Sequence, residues 1–138
     1  MNSKLLSVWF SIISGILVLV GIIFSFFGFS VIGGIAYSLF GLNILPLDKI
    51  ILLHWESAIY GAIMMGWGVT LFLIGRLAFR RNDTELMKVM IYGLFIWLLV
   101  EALFSAALGV FFNVGVDIVV FVLFSLPLIL GIRYLRQN

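Results

Sequence analysis

The longest segment of this chain without a charged side chain or a histidine covers residues 5–47, which is 43 residues. A helix needs only about 20 apolar residues to cross the ~30 Å hydrocarbon core of a membrane. Of the 138 residues, 64% are hydrophobic and 10% are charged, whereas soluble domains have about 45–50% and about 25%. The chain is therefore expected to be an integral membrane protein, and a water-soluble monomer is excluded.

Four apolar segments have the length of a membrane crossing. The predicted spans are residues 5–29, 52–77, 86–108 and 114–134. Thr84 is the expected N-cap of the third span. Pro127 lies inside the fourth span, where it removes one backbone donor and is expected to kink the helix. We therefore predict an all-α, polytopic membrane protein whose residues 1–138 form a single domain, with four transmembrane helices in a bundle.

The segment between the first two spans, residues 30–47, has a different character. The pair Gly33-Gly34 and Pro46 bound about a dozen apolar residues, which is short for a full crossing. We expect a re-entrant or interfacial segment here. A fifth crossing is the alternative, but it would place Lys4 on the side opposite to most other basic residues.

The basic residues predict the orientation of the chain. With four spans, one side of the membrane receives seven of the eight basic residues, and the other side receives Lys49 alone. The seven are Lys4, Arg76, Arg80, Arg81, Lys88, Arg133 and Arg136. Because cytoplasmic segments carry the excess of Lys and Arg, we predict a multi-pass protein of the plasma (inner) membrane with both termini in the cytoplasm. The expected partner is the lipid bilayer, and no nucleic acid is expected.

Small residues at helical spacing indicate where helices pack closely. Gly61, Gly68 and Gly75 repeat every seven residues in the second span. In the third span, Ala102 pairs with Ala106, and Ser105 pairs with the glycine four residues on. These faces fit helix contacts within one bundle, and they also fit a homo-oligomer or a membrane-protein partner.

Five polar residues are expected near the outer side of the membrane and form the candidate ligand-binding or proton site: Glu101, His54, Glu56, Asp117 and Asn113. Glu101 is the strongest candidate, because a carboxylate within an apolar span normally faces the interior or a water-filled cavity. We expect it to share a polar pocket with His54 or Asp117. A hydrogen-bonded structural role is the alternative for Glu101 and His54, and Glu56 and Asp117 also fit solvated acids at helix starts.

The candidate site does not match a known type of catalytic or metal centre. No cysteine is present, which excludes thiolate metal sites and thiol redox chemistry. His54 and Glu56 point to opposite sides of a helix, unlike a pair of metal ligands spaced by three or four residues. We therefore predict no metal site, and the cofactors and catalytic residues remain unknown.

Residues 56–68 read E-S-A-I-Y-G-A-I-M-M-G-W-G. This segment resembles the E-x-R-x-x-Y-G-G-x-x-x-G-x-G pattern of DoxX-like proteins and related small four-helix membrane domains of unknown function. The chain has Ala58 at about the place where that pattern has an arginine. The resemblance implies a four-helix membrane bundle, and some of these relatives are described as membrane subunits of oxidoreductases.

Three functions are consistent with these features. The first is binding or transport of a proton, a cation or a small amphiphile at the outer acidic pocket. The second is a non-catalytic partner or assembly subunit of a membrane complex. The third is a membrane enzyme that acts on a lipid or quinone, with His54 and Glu101 as acid and base.

Overall fold

A computed structural model describes residues 3–27 and 47–137 of the chain. The described residues form four α-helices: α1 Ser3–Ile22, α2 Leu47–Arg81, α3 Thr84–Ala107 and α4 Phe111–Gln137. A π-helical turn, Ile23–Phe27, follows α1 directly. No strand occurs in the described part, so the prediction of an all-α chain is confirmed.

The described part has four helical segments long and apolar enough to cross a membrane, the first of which combines α1 with most of the π-helical turn. These segments are Ser3–Phe26, Ile51–Arg81, Thr84–Ala107 and Phe111–Gln137. The four predicted spans are therefore confirmed as apolar helices of sufficient length. Helix α4 continues through Pro127 to its end at Gln137. The predicted re-entrant or interfacial segment lies outside the described residues, except for Leu47, where α2 begins.

The connection between α2 and α3 is shorter than predicted. Asn82 has a positive φ of 53°, and Asp83 has the extended backbone of an N-cap residue. The Asp83 Oδ1 atom accepts a hydrogen bond of 2.9 Å from the backbone N–H of Leu86. The prediction that Thr84 caps α3 is therefore wrong. A carboxylate is the more favourable cap here, because its charge also interacts with the positive end of the helix dipole.

The described helices divide into two compact units. The first unit contains the described residues of Met1–Ile13 and Leu71–Asn138, and the second contains those of Ser14–Thr70. Each unit is described separately below. The expectation of a single domain stays a prediction.

Three phenylalanine rings from three helices form the centre of the first unit. The Phe10 ring of α1 lies 6.3 Å from the Phe79 ring of α2 and 5.4 Å from the Phe124 ring of α4, between centroids. All three side chains are buried. Gly75 lies against the Phe10 ring, where an added Cβ would collide with it. A Cβ at Gly131 would lie 2.9 Å from Cε1 of Phe79, so these glycines make room for aromatic rings.

In the second unit, α1 and α2 pack at small residues. A Cβ at Gly68 would lie 2.7 Å from Val18 Cγ2 and 2.9 Å from the Val18 backbone nitrogen. A Cβ at Gly61 would collide with the backbone of Ser25. Both glycines are buried, as is Gly75 in the first unit. The expectation that this seven-residue repeat marks a close-packed face is confirmed.

Two serine hydroxyl groups connect the π-helical turn with α2 in the second unit. Ser25 Oγ donates to the carbonyl oxygen of Ala58 at 3.1 Å, and Ser57 Oγ donates to the carbonyl oxygen of Phe24 at 3.0 Å. Such bonds stabilise helix pairs in lipid, where water cannot satisfy the same groups. The glycine contacts and these two bonds together hold α1 and the π-helical turn against α2 within the described residues of the second unit.

Candidate functional site

The tight turn between α3 and α4 determines which polar residues meet in the first unit. Gly109 has a φ of 77°, a conformation that glycine adopts without the steric cost other residues pay. The backbone N–H of Val110 donates to the carbonyl oxygen of Ser105 at 2.8 Å. Helix α4 therefore begins at Phe111, three residues earlier than predicted. The two helices form an antiparallel hairpin with Gly109 at its tip.

Four polar residues lie symmetrically about Gly109 in the sequence. Ser105 and Asn113 are four residues from it, and Glu101 and Asp117 are eight residues from it. In an antiparallel hairpin of helices, residues at equal distances from the turn lie at about the same depth along the helix axes. Both acids are six residues from the adjacent helix end, which corresponds to about 9 Å along a helix axis. The hairpin thus brings the acids of α3 and α4 to the same depth.

The Asn113 amide connects these side chains. Its Nδ2 atom donates to Ser105 Oγ at 2.9 Å, to Asp117 Oδ2 at 3.2 Å and to Glu101 Oε1 at 3.5 Å. An amide nitrogen carries two hydrogens, so three acceptors share two donors. The contact with Glu101 is the longest and therefore the weakest. We call these four residues the hairpin polar cluster.

The two acids differ in their exposure. Asp117 is 2% exposed, whereas Glu101 is half-buried. The alternative in which Asp117 is a solvated acid at a helix start is therefore wrong. The earlier start of α4 moves Asp117 away from the first turn, and its carboxylate is bonded to Asn113. Of the two expected partners of Glu101, the hairpin places Asp117 near it.

The cluster has few compensating charges. Within the described residues of the first unit, no Lys or Arg forms an ion pair with Glu101 or Asp117; Lys88 forms its ion pair with Glu85, at 2.6 Å. The described residues contain no group of three or more His, Asp or Glu side chains placed to hold a metal ion. Two cavities of the first unit, about 1270 Å³ and about 420 Å³, have no member of the cluster in their walls.

His54 and Glu56 belong to the second unit and are half-buried. They lie within the first two turns of the apolar segment Ile51–Arg81, as the sequence predicted. The expectation that His54 shares a pocket with Glu101 stays a prediction. The expectation that Glu56 belongs to the ligand-binding or proton site also stays a prediction.

Ser105 was expected on a packing face, whereas its hydroxyl oxygen accepts a hydrogen bond from the Asn113 amide. The spacing of four residues on each side of Gly109 was the available signal, but it requires the turn to be placed correctly. Ala106 and Gly109 are exposed, so these two members of the predicted small-residue faces of α3 are not packed within this unit. Ser105 and Glu101 of α3 contact Asn113 of α4, and the Phe95 ring of α3 lies 6.2 Å from the Phe121 ring of α4, between centroids.

Comparison of the chain with protein-family models, with curated proteins and with solved structures finds no match. The resemblance to DoxX-like proteins therefore stays a prediction.

Proposed function

We propose that this chain is a small integral membrane protein that binds a proton at the hairpin polar cluster, with Glu101 and Asp117 as the groups that carry it. The observation that supports this proposal is the Asn113 amide nitrogen, which is within 3.5 Å of oxygen atoms from both carboxyl groups. Binding of a small monovalent cation is the alternative at the same place.

The proposal follows from the cost of charge in an apolar hairpin. A charged side chain within a membrane span costs about 2.5–3.5 kcal/mol at the centre of the helix, and less towards its ends. Asn113 and Ser105 offer only neutral hydrogen-bonding groups, which cannot neutralise two negative charges. A bound proton removes one of these charges without requiring a cavity. The pair of acids can then take up or release this proton when the pH changes or when a ligand binds nearby.

The direction of the Asn113 amide argues against a cation at the cluster. Its Nδ2 atom points at the carboxylates as a donor, and it therefore occupies the place that a cation would take. A cation requires the amide to rotate so that its oxygen becomes a ligand.

The proposal includes the predicted topology, in which the four helices form a membrane bundle with both termini in the cytoplasm of a plasma (inner) membrane. Its support in the first unit is that Lys4 near the start of α1, Asn82 in the α2–α3 turn and Leu135 near the end of α4 line one cavity. The three segments that should share the cytoplasmic side therefore lie at the same end of this unit.

The test uses the link between proton binding and stability. The slope of the unfolding free energy against pH reports the difference between the numbers of protons bound by the unfolded and the folded state. We expect Glu101→Gln and Asp117→Asn each to fold, because each variant keeps the side-chain shape, and each to change this slope. Glu85→Gln removes a carboxylate outside the cluster and serves as the matched control. Equal slopes for the parent and both cluster variants would refute the proposal.

The same measurement separates a proton from a cation. Unfolding is repeated in increasing sodium chloride and in choline chloride at equal ionic strength. A proton site predicts equal effects of the two salts, whereas a sodium site predicts stabilisation by sodium alone. Glu56→Gln tests the second unit by itself, since a slope changed by this variant would show that Glu56 also binds a different number of protons in the folded and unfolded states.

A further inference from the structure

A second feature of the first unit lies at the end that carries the basic residues. A cavity of about 1270 Å³ is bounded by the start of α1, the last turns of α2, the α2–α3 turn and the end of α4. This volume is somewhat above the range of about 300–1,000 Å³ that is usual for small-molecule sites. The cavity therefore has room for a polar headgroup together with part of an apolar chain.

The charge of the cavity wall has one sign. Lys4, Arg76 and Arg80 line it, and no acidic residue is among its described lining residues. Asp83 lies next to two lining residues in the sequence, but its carboxylate accepts the N–H of Leu86 as the cap of α3. The described wall thus carries three basic side chains and no acidic one.

The wall also has an ordered arrangement of polar and apolar groups. Arg76 lies over the Phe72 ring, 5.5 Å from its centroid, which restrains the guanidinium group. Leu77 and Leu73 line the same cavity, one and two turns respectively from Arg80 towards the middle of α2. A ligand that fits this wall has an anionic head at the end of the helices and an apolar part beside the leucines.

From this arrangement we infer that the cavity binds the phosphate headgroup of an anionic membrane lipid. Two arginines favour a phosphate, because the guanidinium group donates two parallel hydrogen bonds to its oxygens. The predicted orientation places this end in the cytoplasmic leaflet, where anionic lipids are concentrated and where basic pockets between helices bind their headgroups. The lipid site is separate from the hairpin polar cluster and does not depend on the proposed proton binding.

The chain offers a matched pair of variants for the test. Arg80 and Arg81 are consecutive and both exposed, but only Arg80 lines the cavity. Purified protein in a non-ionic detergent is titrated with dihexanoyl phosphatidic acid, and bound lipid is counted by native mass spectrometry. We expect Arg80→Gln and Arg76→Gln each to weaken binding about tenfold, equivalent to about 1.4 kcal/mol. Arg81→Gln should bind within about twofold of the parent, because attraction to a surface charge is weak.

Three results would overturn this inference. An equal loss of binding in the Arg80→Gln and Arg81→Gln variants would mean that the lipid responds to surface charge and not to the cavity. Equally tight binding of dihexanoyl phosphatidylcholine would remove the preference for an anionic headgroup. Displacement of the lipid by inorganic phosphate at the same concentration would assign the site to soluble phosphate. The variants change exposed side chains, and their unfolding midpoints should match that of the parent.

Discussion

The contact between α1 and α2 at Gly68 makes a quantitative prediction about stability. Gly68→Ala adds one methyl group, whose carbon would lie 2.9 Å from the Val18 backbone nitrogen and 3.0 Å from the Ser14 carbonyl oxygen. Ordinary van der Waals contact begins at 3.4 Å. Because backbone atoms cannot rotate away as a side chain can, the two helices must separate locally. Overpacking of this kind costs about 1–3 kcal/mol.

Gly66→Ala is the matched control for this substitution. Gly66 lies in the same helix, and a Cβ there meets no atom within 4 Å. Both variants gain the same helix propensity, about 1 kcal/mol in water, and this gain cancels when the two are compared. We therefore expect Gly68→Ala to be less stable than Gly66→Ala by about 1–3 kcal/mol.

The assay is unfolding in mixed micelles with increasing sodium dodecyl sulfate, followed by the fluorescence of the four tryptophans. The free energies of unfolding of the two alanine variants are compared under identical conditions. Equal stability would show that α1 and α2 do not approach at Gly68, and the glycine repeat would then require another explanation.

Two further predictions concern the turns. Asp83→Ala should lower the free energy of unfolding by about 1 kcal/mol in the same assay, because it removes the N-cap of α3. Thr84→Ala should change it by only a few tenths of a kcal/mol, which is the scale of helix propensity. A larger loss in Thr84→Ala than in Asp83→Ala would show that Thr84 is the N-cap. The parent has no cysteine, so single cysteines can report topology: Leu108→Cys should react with an impermeant reagent outside intact cells, and Asn82→Cys should react only after lysis. The reverse labelling pattern would invert the predicted orientation.

The helices themselves could be predicted from the sequence, because an apolar run of sufficient length has few alternatives to a membrane helix. The ends of the helices could be predicted less accurately. Thr84 and Asp83 are both good N-cap residues, and the sequence alone does not say which of them adopts extended backbone geometry. The start of α4 was predicted three residues too late, because the sequence has two glycines typical of a turn, Gly109 and Gly115. In the structure only Gly109 has a positive φ.

The hairpin polar cluster could be predicted only in part, because its contacts depend on where the α3–α4 turn lies. Glu101, Asn113 and Asp117 were selected from their depth, and the structure brings these three together. The burial of Asp117 and the bond between Ser105 and Asn113 depend on the register of the hairpin. Because a shift of two residues in the turn rotates each face by about 200°, the facing residues follow only when the turn is known.

Infrared spectroscopy of the carboxyl groups tests the central claim most directly. A protonated carboxylic acid has a carbonyl stretching band that an ionised carboxylate lacks, and this band can be followed as the pH of reconstituted protein is changed. We predict a band that appears and disappears with pH in the parent, that is altered by Glu101→Gln and Asp117→Asn, and that is unaffected by Glu85→Gln. A parent spectrum whose pH-dependent carboxyl band is the same in both cluster variants would contradict proton binding at the hairpin polar cluster.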